Sequence, residues 1–474
     1  MGIFRLDKFY KLLILAILGL VIIISCSKEI KPTPIKSNIP NDELPNIQPR
    51  GNENYLKENS DYIYNQEKVK TYELIIKKDD LAKINANPVG EEYVEAALIF
   101  EGDTISPVGV RYKGSLGAYA GCLSDPDWGH PSGQKTCEKL SMQVKINWND
   151  RKERFFDLNK LQFHAQNYDK SQLRERMAYW LFAQMGVPAP RSIHARLIIN
   201  KNYSGLYGLT EEIDNRFAEY FYKEGKGNIY KEVWPVKANG EIQSDIALIE
   251  ALKTNEEEQN INLIKEFGQA IAASNISNSK EVIRKYMKIN EIMSYIVVDR
   301  AIRHDDGPFH WYCSDEAENS CVNHNYYWFE DKKNKKMHLI PWDMDGTFEH
   351  VILNANDYTG LIDKWGEISN NCLPFKYGNG KKQRSATCEK LTATWVSFGQ
   401  EYNAIKRDFQ NNFVANNKLF FQLDTWAKQI EPFIIEADNI HNKNIQYEVN
   451  KRTTTFKVWE NATNTLRSQV KAIL

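Results

Sequence analysis

The chain has 474 residues, 42% hydrophobic and 26% charged, which excludes a disordered polyelectrolyte and a polytopic membrane protein. Lys and Arg total 61 against 62 Asp and Glu, so no global positive field points to nucleic acid. The length exceeds what one small core can use and predicts two lobes with extensions.

Arg5, Lys8 and Lys11 precede an apolar run from Leu12 to Ser25 that is short for a bilayer span and suits a signal-peptide core. The run ends Ile23-Ile24-Ser25-Cys26, a small residue before a Cys that looks like a lipobox. That resemblance implies cleavage before Cys26 and its acylation; the competing reading is a plain membrane anchor with an incidental Cys. Residues 1–25 are therefore expected to be a lipoprotein signal peptide. Residues 26–69 are expected to be an anchored Cys and a tether, because Pro32, Pro34, Pro40, Pro45 and Pro49 keep the chain extended. The folded body is expected outside the cytoplasm, held to the bacterial envelope membrane through lipid on Cys26. Six further cysteines, an even number in an exported chain, suggest disulfides. Pairing in sequence order, Cys122–Cys137, Cys313–Cys321 and Cys372–Cys388, closes three short loops, and other connectivities stay open. None has the spacing of a zinc site.

Lys70–Ile76 alternates as a strand, and Asp79–Ala86 reads as a short helix. Tyr93–Phe100 and Val108–Lys113 are strand-like about a turn at Glu101-Gly102-Asp103, and the second runs into Gly114-Ser115-Leu116-Gly117. Leu140 to Trp148 alternates, with Leu140, Met142, Val144 and Ile146 on one face. Asp169 or Ser171 is placed to cap a helix through Leu173, Met177, Leu181 and Met185, which Gly186 and Pro188 stop. Strands follow at Ser192–Ile199 and Leu206–Thr210. Residues 70–215 thus read as a β-rich N-terminal lobe. Helices then dominate residues 216–474, at Ile242–Leu252, Gln259–Ile271, Ser279–Met287 and Ile289–Ile302, and again from Leu391 onward as a C-terminal helical extension. A hairpin interrupts them, Tyr326–Phe329 returning through Met337–Pro341. A β-rich part followed by a helical part predicts an α+β fold with a cleft between two lobes.

Asp306 closes an acidic run that includes Asp305. Asn325 precedes an aromatic pair, and Asp343 and Asp345 follow Ile340-Pro341-Trp342. Carboxylates and an amide from three segments suit a hard cation such as magnesium. Two acids beside apolar residues are costly to bury without a partner.

The order of Gly114-Ser115, Glu138-Lys139-Leu140-Ser141, Leu161-Gln162-Phe163-His164, Asp169-x-Ser171-x-Leu173-Arg174-Glu175, Gly205-Leu206-Tyr207 with Glu211, and Pro341-Trp342-Asp343-x-Asp345 resembles that of CotH-type (spore coat protein H) atypical protein kinases. The likeness spans roughly residues 70 to 350. It implies a protein-kinase-like bilobal fold that uses ATP and magnesium to phosphorylate Ser/Thr-rich protein segments. Carried over by position, Asp306 is the catalytic acid and Asn325 holds metal or orients it. Asp343 binds magnesium with help from Asp345. Lys139 or Lys145 meets the nucleotide phosphates, Gly114 and Ser115 lie in the phosphate loop, Glu175 orients the Lys, and Glu211 lies at a hinge near the adenine. Glu175 shares a helix face with Tyr179 and Phe182, and neighbouring Arg174 is an alternative there. The inserts bearing Cys313 and Cys321, and Cys122 and Cys137, depart from the simplest family pattern. Two other readings are carried: a non-catalytic structural or adhesion lipoprotein on the same fold, and a metal-dependent hydrolase or transferase acting on envelope glycans. The sequence sets no oligomeric state.

Overall fold

The computed structural model describes residues 51–349, 372–377, 381–442 and 454–473, apart from residues 120, 126, 128, 224–225, 305 and 318–319. The signal peptide, Cys26, most of the tether and Asp305 lie outside the described residues. Among those described, no helix is long and apolar enough to cross a membrane.

Seven strands form a closed barrel: β1 (Lys70–Ile76), β2 (Val94–Phe100), β3 (Asp103–Tyr112), β4 (Met142–Lys145), β5 (Lys160–His164), β6 (Ser192–Ile199) and β7 (Asn202–Thr210), in the order β1-β2-β3-β4-β5-β7-β6. Parallel pairing of β1 with β6, from Lys70↔Ala195 to Leu74↔Ile199, closes the ring, and the other neighbours are antiparallel. Leu140, Met142, Val144 and Ile146 are all fully buried, as their alternation predicts. Regular pairing holds only over Met142–Lys145 of that run, while β7 begins earlier than expected. The alternation did not announce β5. Leu161, Gln162 and Phe163 are buried in succession, because both faces of this strand are covered and the polar side chain of Gln162 is itself engaged inside.

Helix α1 (Arg174–Gln184) leaves the barrel along its flank. Asp169 caps it, its carboxylate accepting from the backbone N–H groups of Leu173 (2.8 Å) and Arg174 (2.9 Å). Arg174 to Tyr179 are all buried, so this charged turn is internal rather than a solvent face.

The remainder is mainly helical: α2 (Asn262–Ala273), α3 (Ser279–Tyr286), α4 (Ile289–Ala301), α5 (Lys390–Val396), α6 (Gly399–Phe409), α7 (Lys418–His441) and α8 (Phe456–Lys471). The helix expected at Ile242–Leu252 is shorter, Asp245–Glu250, because Ser244 caps it. Two small sheets interrupt the helices. One has the order β12-β11-β8, from β8 (Ile229–Lys231), β11 (Tyr326–Asp331) and β12 (Lys336–Pro341). The other has the order β10-β9-β14-β13, from β9 (Trp311–Cys313), β10 (Cys321–Val322), β13 (Phe375–Tyr377) and β14 (Lys381–Arg384). The architecture is mixed α+β, with one hydrophobic core in the barrel and a larger one among the helices. Trp328 of β11 is fully buried in the larger core, 5.4 Å from Trp234, which stands 5.7 Å from Trp395. Trp328→Ala is expected to cost about 3–5 kcal/mol in chemical denaturation.

Helices α7 and α8 grip the barrel and α1. Glu436 pairs with Arg196, Gln429 Oε1 accepts from buried Arg176 at 2.7 Å, Trp459 Nε1 donates to Ser171 O at 3.0 Å, and Gln469 Oε1 accepts from Arg174 at 3.0 Å. The cysteines join in sequence order: Cys122–Cys137, Cys313–Cys321 and Cys372–Cys388.

Candidate active site

The turn after α4 is built around a buried ion cluster. Asp299 takes Arg300 Nε at 2.9 Å on one oxygen and faces His304 Nδ1 at 3.1 Å with the other. A Cβ on Gly307 would lie 2.4 Å from that Nδ1, so the turn presenting Asp306 accepts only Gly at the next position. Gly307→Ala is expected to cost about 1–3 kcal/mol in chemical denaturation, by overpacking against His304.

Asp306 is exposed, with both carboxylate oxygens held. Tyr312 donates its hydroxyl to Oδ1 at 2.6 Å, and Asn325 donates its amide to Oδ2 at 2.8 Å and to the Asp306 carbonyl at 3.0 Å. Asn325 has φ 60°, a left-handed conformation that Asn tolerates better than most residues. Its own carbonyl accepts from Trp342 N at 3.2 Å. Asn325 thus ties Asp306 to the segment after β12. The next residue, Asp343, also has a positive φ, 57°, and donates its backbone N–H to Tyr179 Oη of α1 at 3.1 Å. Asp306, Asn325 and Asp343, far apart in sequence, are brought together.

The electrostatics of this floor are one-sided. Asp343 is reached by solvent, yet protein surrounds it closely. That crowding, then Glu175 and Asp306, pushes its carboxyl above the ordinary range, with His164 and Lys231 pulling the other way. Asp345 is pushed well above, by burial first and then by Asp343 and Glu175. No ion pair reaches either carboxylate among the described residues. This excess of negative charge fits a divalent cation, and the oxygen donors are those a hard ion prefers. Among the described residues no three acidic, His or Cys side chains already stand at ligand distance.

Lys113 stands just past β3, near the ring of Trp342. Its ammonium donates to Gln162 Oε1 and to His164 Nε2, the latter at 3.3 Å, and lies 5.5 Å from the Trp342 ring. Burial lowers it to about 8, with Glu212 opposing. His164 Nδ1 meets Glu175 Oε1 at 2.7 Å. Burial pushes Glu175 up, but His164, Gln166 and Thr210 more than offset this and hold its carboxyl below the ordinary value.

Most of the residues expected to meet the nucleotide have protein partners of their own. Lys139 is buried, its ammonium on Leu206 O and over the Tyr207 ring, and burial lowers it to about 7. Lys145 lies near Tyr93 and Trp148, and Glu175 pairs with neither Lys. Glu211 is buried against Arg191, whose Nε donates to it at 3.0 Å, whereas Glu212 turns toward Lys160 and Lys113. Gly114 N donates to Glu91 Oε1 at 3.2 Å, and a Cβ there would meet Ala118 at 2.6 Å; Ser115 is exposed beside it. Arg174 faces Thr347 O and Asp169.

A family model described as CotH kinase protein matches residues 110–471. The chain belongs to the CotH kinase family. No curated protein matches it. The CotH match runs from β3 to the end of α8, taking in the C-terminal helices as well as the acidic segments. Both cysteine-bearing inserts fall within this CotH region. Cys313–Cys321 ties off the loop between Asp306 and Asn325, while Cys122–Cys137 closes the excursion between Gly114 and β4.

Proposed function

We propose that this CotH family member is a protein kinase working outside the cytoplasm, held to the membrane by lipid on Cys26. It transfers a phosphoryl group from ATP to a Ser or Thr hydroxyl of a protein segment. The observation that carries this reading is the gathering of Asp306, Asn325 and Asp343, with the Lys113 ammonium 5.5 Å from the ring of Trp342, the residue before Asp343. The reading takes the barrel and the helical part as kinase-like lobes with the reaction in the crevice between them.

Asp306 receives the proton of the attacking hydroxyl, and Tyr312 and Asn325 fix the plane of its carboxylate. The acceptor oxygen bonds to the terminal phosphorus as the bond to the bridging oxygen breaks, and ADP leaves. Lys113 pairs with the phosphate oxygens. Asp343, with Asp345 and the Asn325 amide oxygen, would hold magnesium, which supplies neutralisation of phosphate charge. Tyr179 fixes the Asp343 backbone.

Incubation with labelled ATP, magnesium and a Ser/Thr-rich protein tests the reading. Label is expected on protein, and free phosphate alone would favour a hydrolase. ATP with magnesium at 100 times its dissociation constant is expected to stabilise the fold by about 2.7 kcal/mol. Lys113 binds phosphate only when protonated, and burial lowers it to about 8. Nucleotide affinity is therefore expected to fall as pH rises through that value, and a Lys113→Arg variant should lose the alkaline limb. The membrane assignment is supported by the run ending at Cys26 and by three disulfides, a feature of oxidising compartments. Cys26→Ser is expected to release the protein from the membrane fraction.

A further inference from the structure

We propose that His164 is a positioning residue that carries the hold of Glu175 across to Lys113, forming a three-membered Lys–His–carboxylate bridge where a simpler kinase site uses a direct Lys–Glu ion pair. The inference rests on the phosphate-binding reading of Lys113. The imidazole stands between two charged groups with one ring nitrogen on each: Nδ1 at 2.7 Å from Glu175 Oε1, and Nε2 at 3.3 Å from the Lys113 ammonium. An ammonium has only hydrogens to offer, so Nε2 presents its lone pair to Lys113 and Nδ1 carries the hydrogen toward the carboxylate. Lys113 and Glu175 are not paired with each other, and the ring supplies the missing length.

Three further contacts fix the bridge. Gln166 Nε2 donates to Glu175 Oε2 at 3.2 Å, so the carboxylate is anchored on both oxygens. Trp342 stands edge-on to the imidazole at 5.8 Å and also faces the Lys113 ammonium. Glu175 and Tyr179 are one turn apart on α1. One helix face therefore sets the cation through His164 and the acid side through the Tyr179 bond to Asp343 N. A shift of α1 would move both halves of the site together.

The test measures binding of a fluorescent ATP analogue, without metal, to the full chain in detergent. Lys113→Met is expected to weaken binding about 10-fold or more, the loss of one charge-assisted contact. His164→Asn keeps a donor near Nδ1, so Glu175 stays satisfied and the fold is retained, but it cannot reach Lys113. It is expected to weaken binding about as much as Lys113→Met. His164→Phe and Glu175→Gln should each weaken binding, and their double variant no more than either alone, because both cut the same bridge. If His164→Phe does not fold, the double variant, which leaves no buried unpaired carboxylate, decides in its place. Wild-type affinity in His164→Asn alongside a weakened Lys113→Met would overturn the bridge while sparing the reading of Lys113. Additive losses in the double variant would also overturn it. Wild-type affinity in Lys113→Met would overturn both.

Discussion

Asp343→Asn is expected to abolish phosphoryl transfer, about 10³-fold or more in kcat, and at the same time to raise the melting temperature of the metal-free protein at neutral pH. The two effects have opposite signs because of where the charge sits. Crowding by protein, then Glu175 and Asp306, pushes the Asp343 carboxyl up, and Asp345 is pushed further. A carboxyl raised in the native state binds its proton more tightly there than in the unfolded chain. Stability is therefore favoured at low pH and lost as pH rises above the ordinary carboxylate range into the raised one. Asn removes that cost but also removes the main oxygen donor proposed for the ion. Melting curves of wild type and variant, with and without magnesium, check this. Magnesium should stabilise only the wild type, with a shift that grows as pH rises and the two carboxyls give up their protons. Asp306→Asn should give a comparable kcat loss but keep most of the magnesium shift, since its proposed role is toward the hydroxyl. A variant at position 343 that kept both activity and magnesium stabilisation would show that the ion is held elsewhere.

Cys313→Ser with Cys321→Ser is expected to lower kcat about 10–100-fold while leaving the KM for ATP nearly unchanged. The disulfide spans a sequence separation of 8, and closing so short a loop contributes about 2.5 kcal/mol in the chain-entropy account. More important is what it holds. Tyr312 is the neighbour of Cys313 on β9, and its hydroxyl fixes one oxygen of Asp306. Freed strands lose that placement, and the base loses its plane. Lys113, the proposed phosphate contact, bonds to Gln162 and His164 of β5 rather than to this sheet, so KM should be spared. Tyr312→Phe should reproduce part of the loss with the disulfide intact. An unchanged kcat in the double Ser variant, with correct folding, would leave the disulfide only a stabilising role.

The sequence carried the acidic half of this site better than the basic half, and the physical reason is register. Asp306, Asn325 and Asp343 stand in short motifs whose oddity is visible locally: acids beside Gly or after apolar residues. Lys113 is a strand-end Lys like many others until the pairing of β3 with β4 and of β4 with β5 aligns it with Gln162 and His164. No local pattern encodes that alignment. Lys139 looked suitable by its place after the Gly114 loop, but its ammonium is taken by Leu206 O and the Tyr207 ring. Glu211 and Glu212 show the same limit at one-residue scale. Side chains alternate along a strand and its continuation, so Glu211 turns to Arg191 and Glu212 to Lys160 and Lys113. Strand β5 escaped notice because burial on both faces erases alternation, while the long helices, the hairpin and most barrel strands were evident from periodicity.

The grip of α8 on α1 joins two parts of the chain that leave the ribosome at different times. The helix carrying Glu175 and Tyr179 is fastened at Ser171 and Arg174 by Trp459 and Gln469, nearly three hundred residues further along. Made N-terminus first, the chain completes its barrel strands long before those fasteners emerge. A cut that removed α8 would therefore free from these anchors the helix whose Glu175 holds His164 and whose Tyr179 holds the Asp343 backbone.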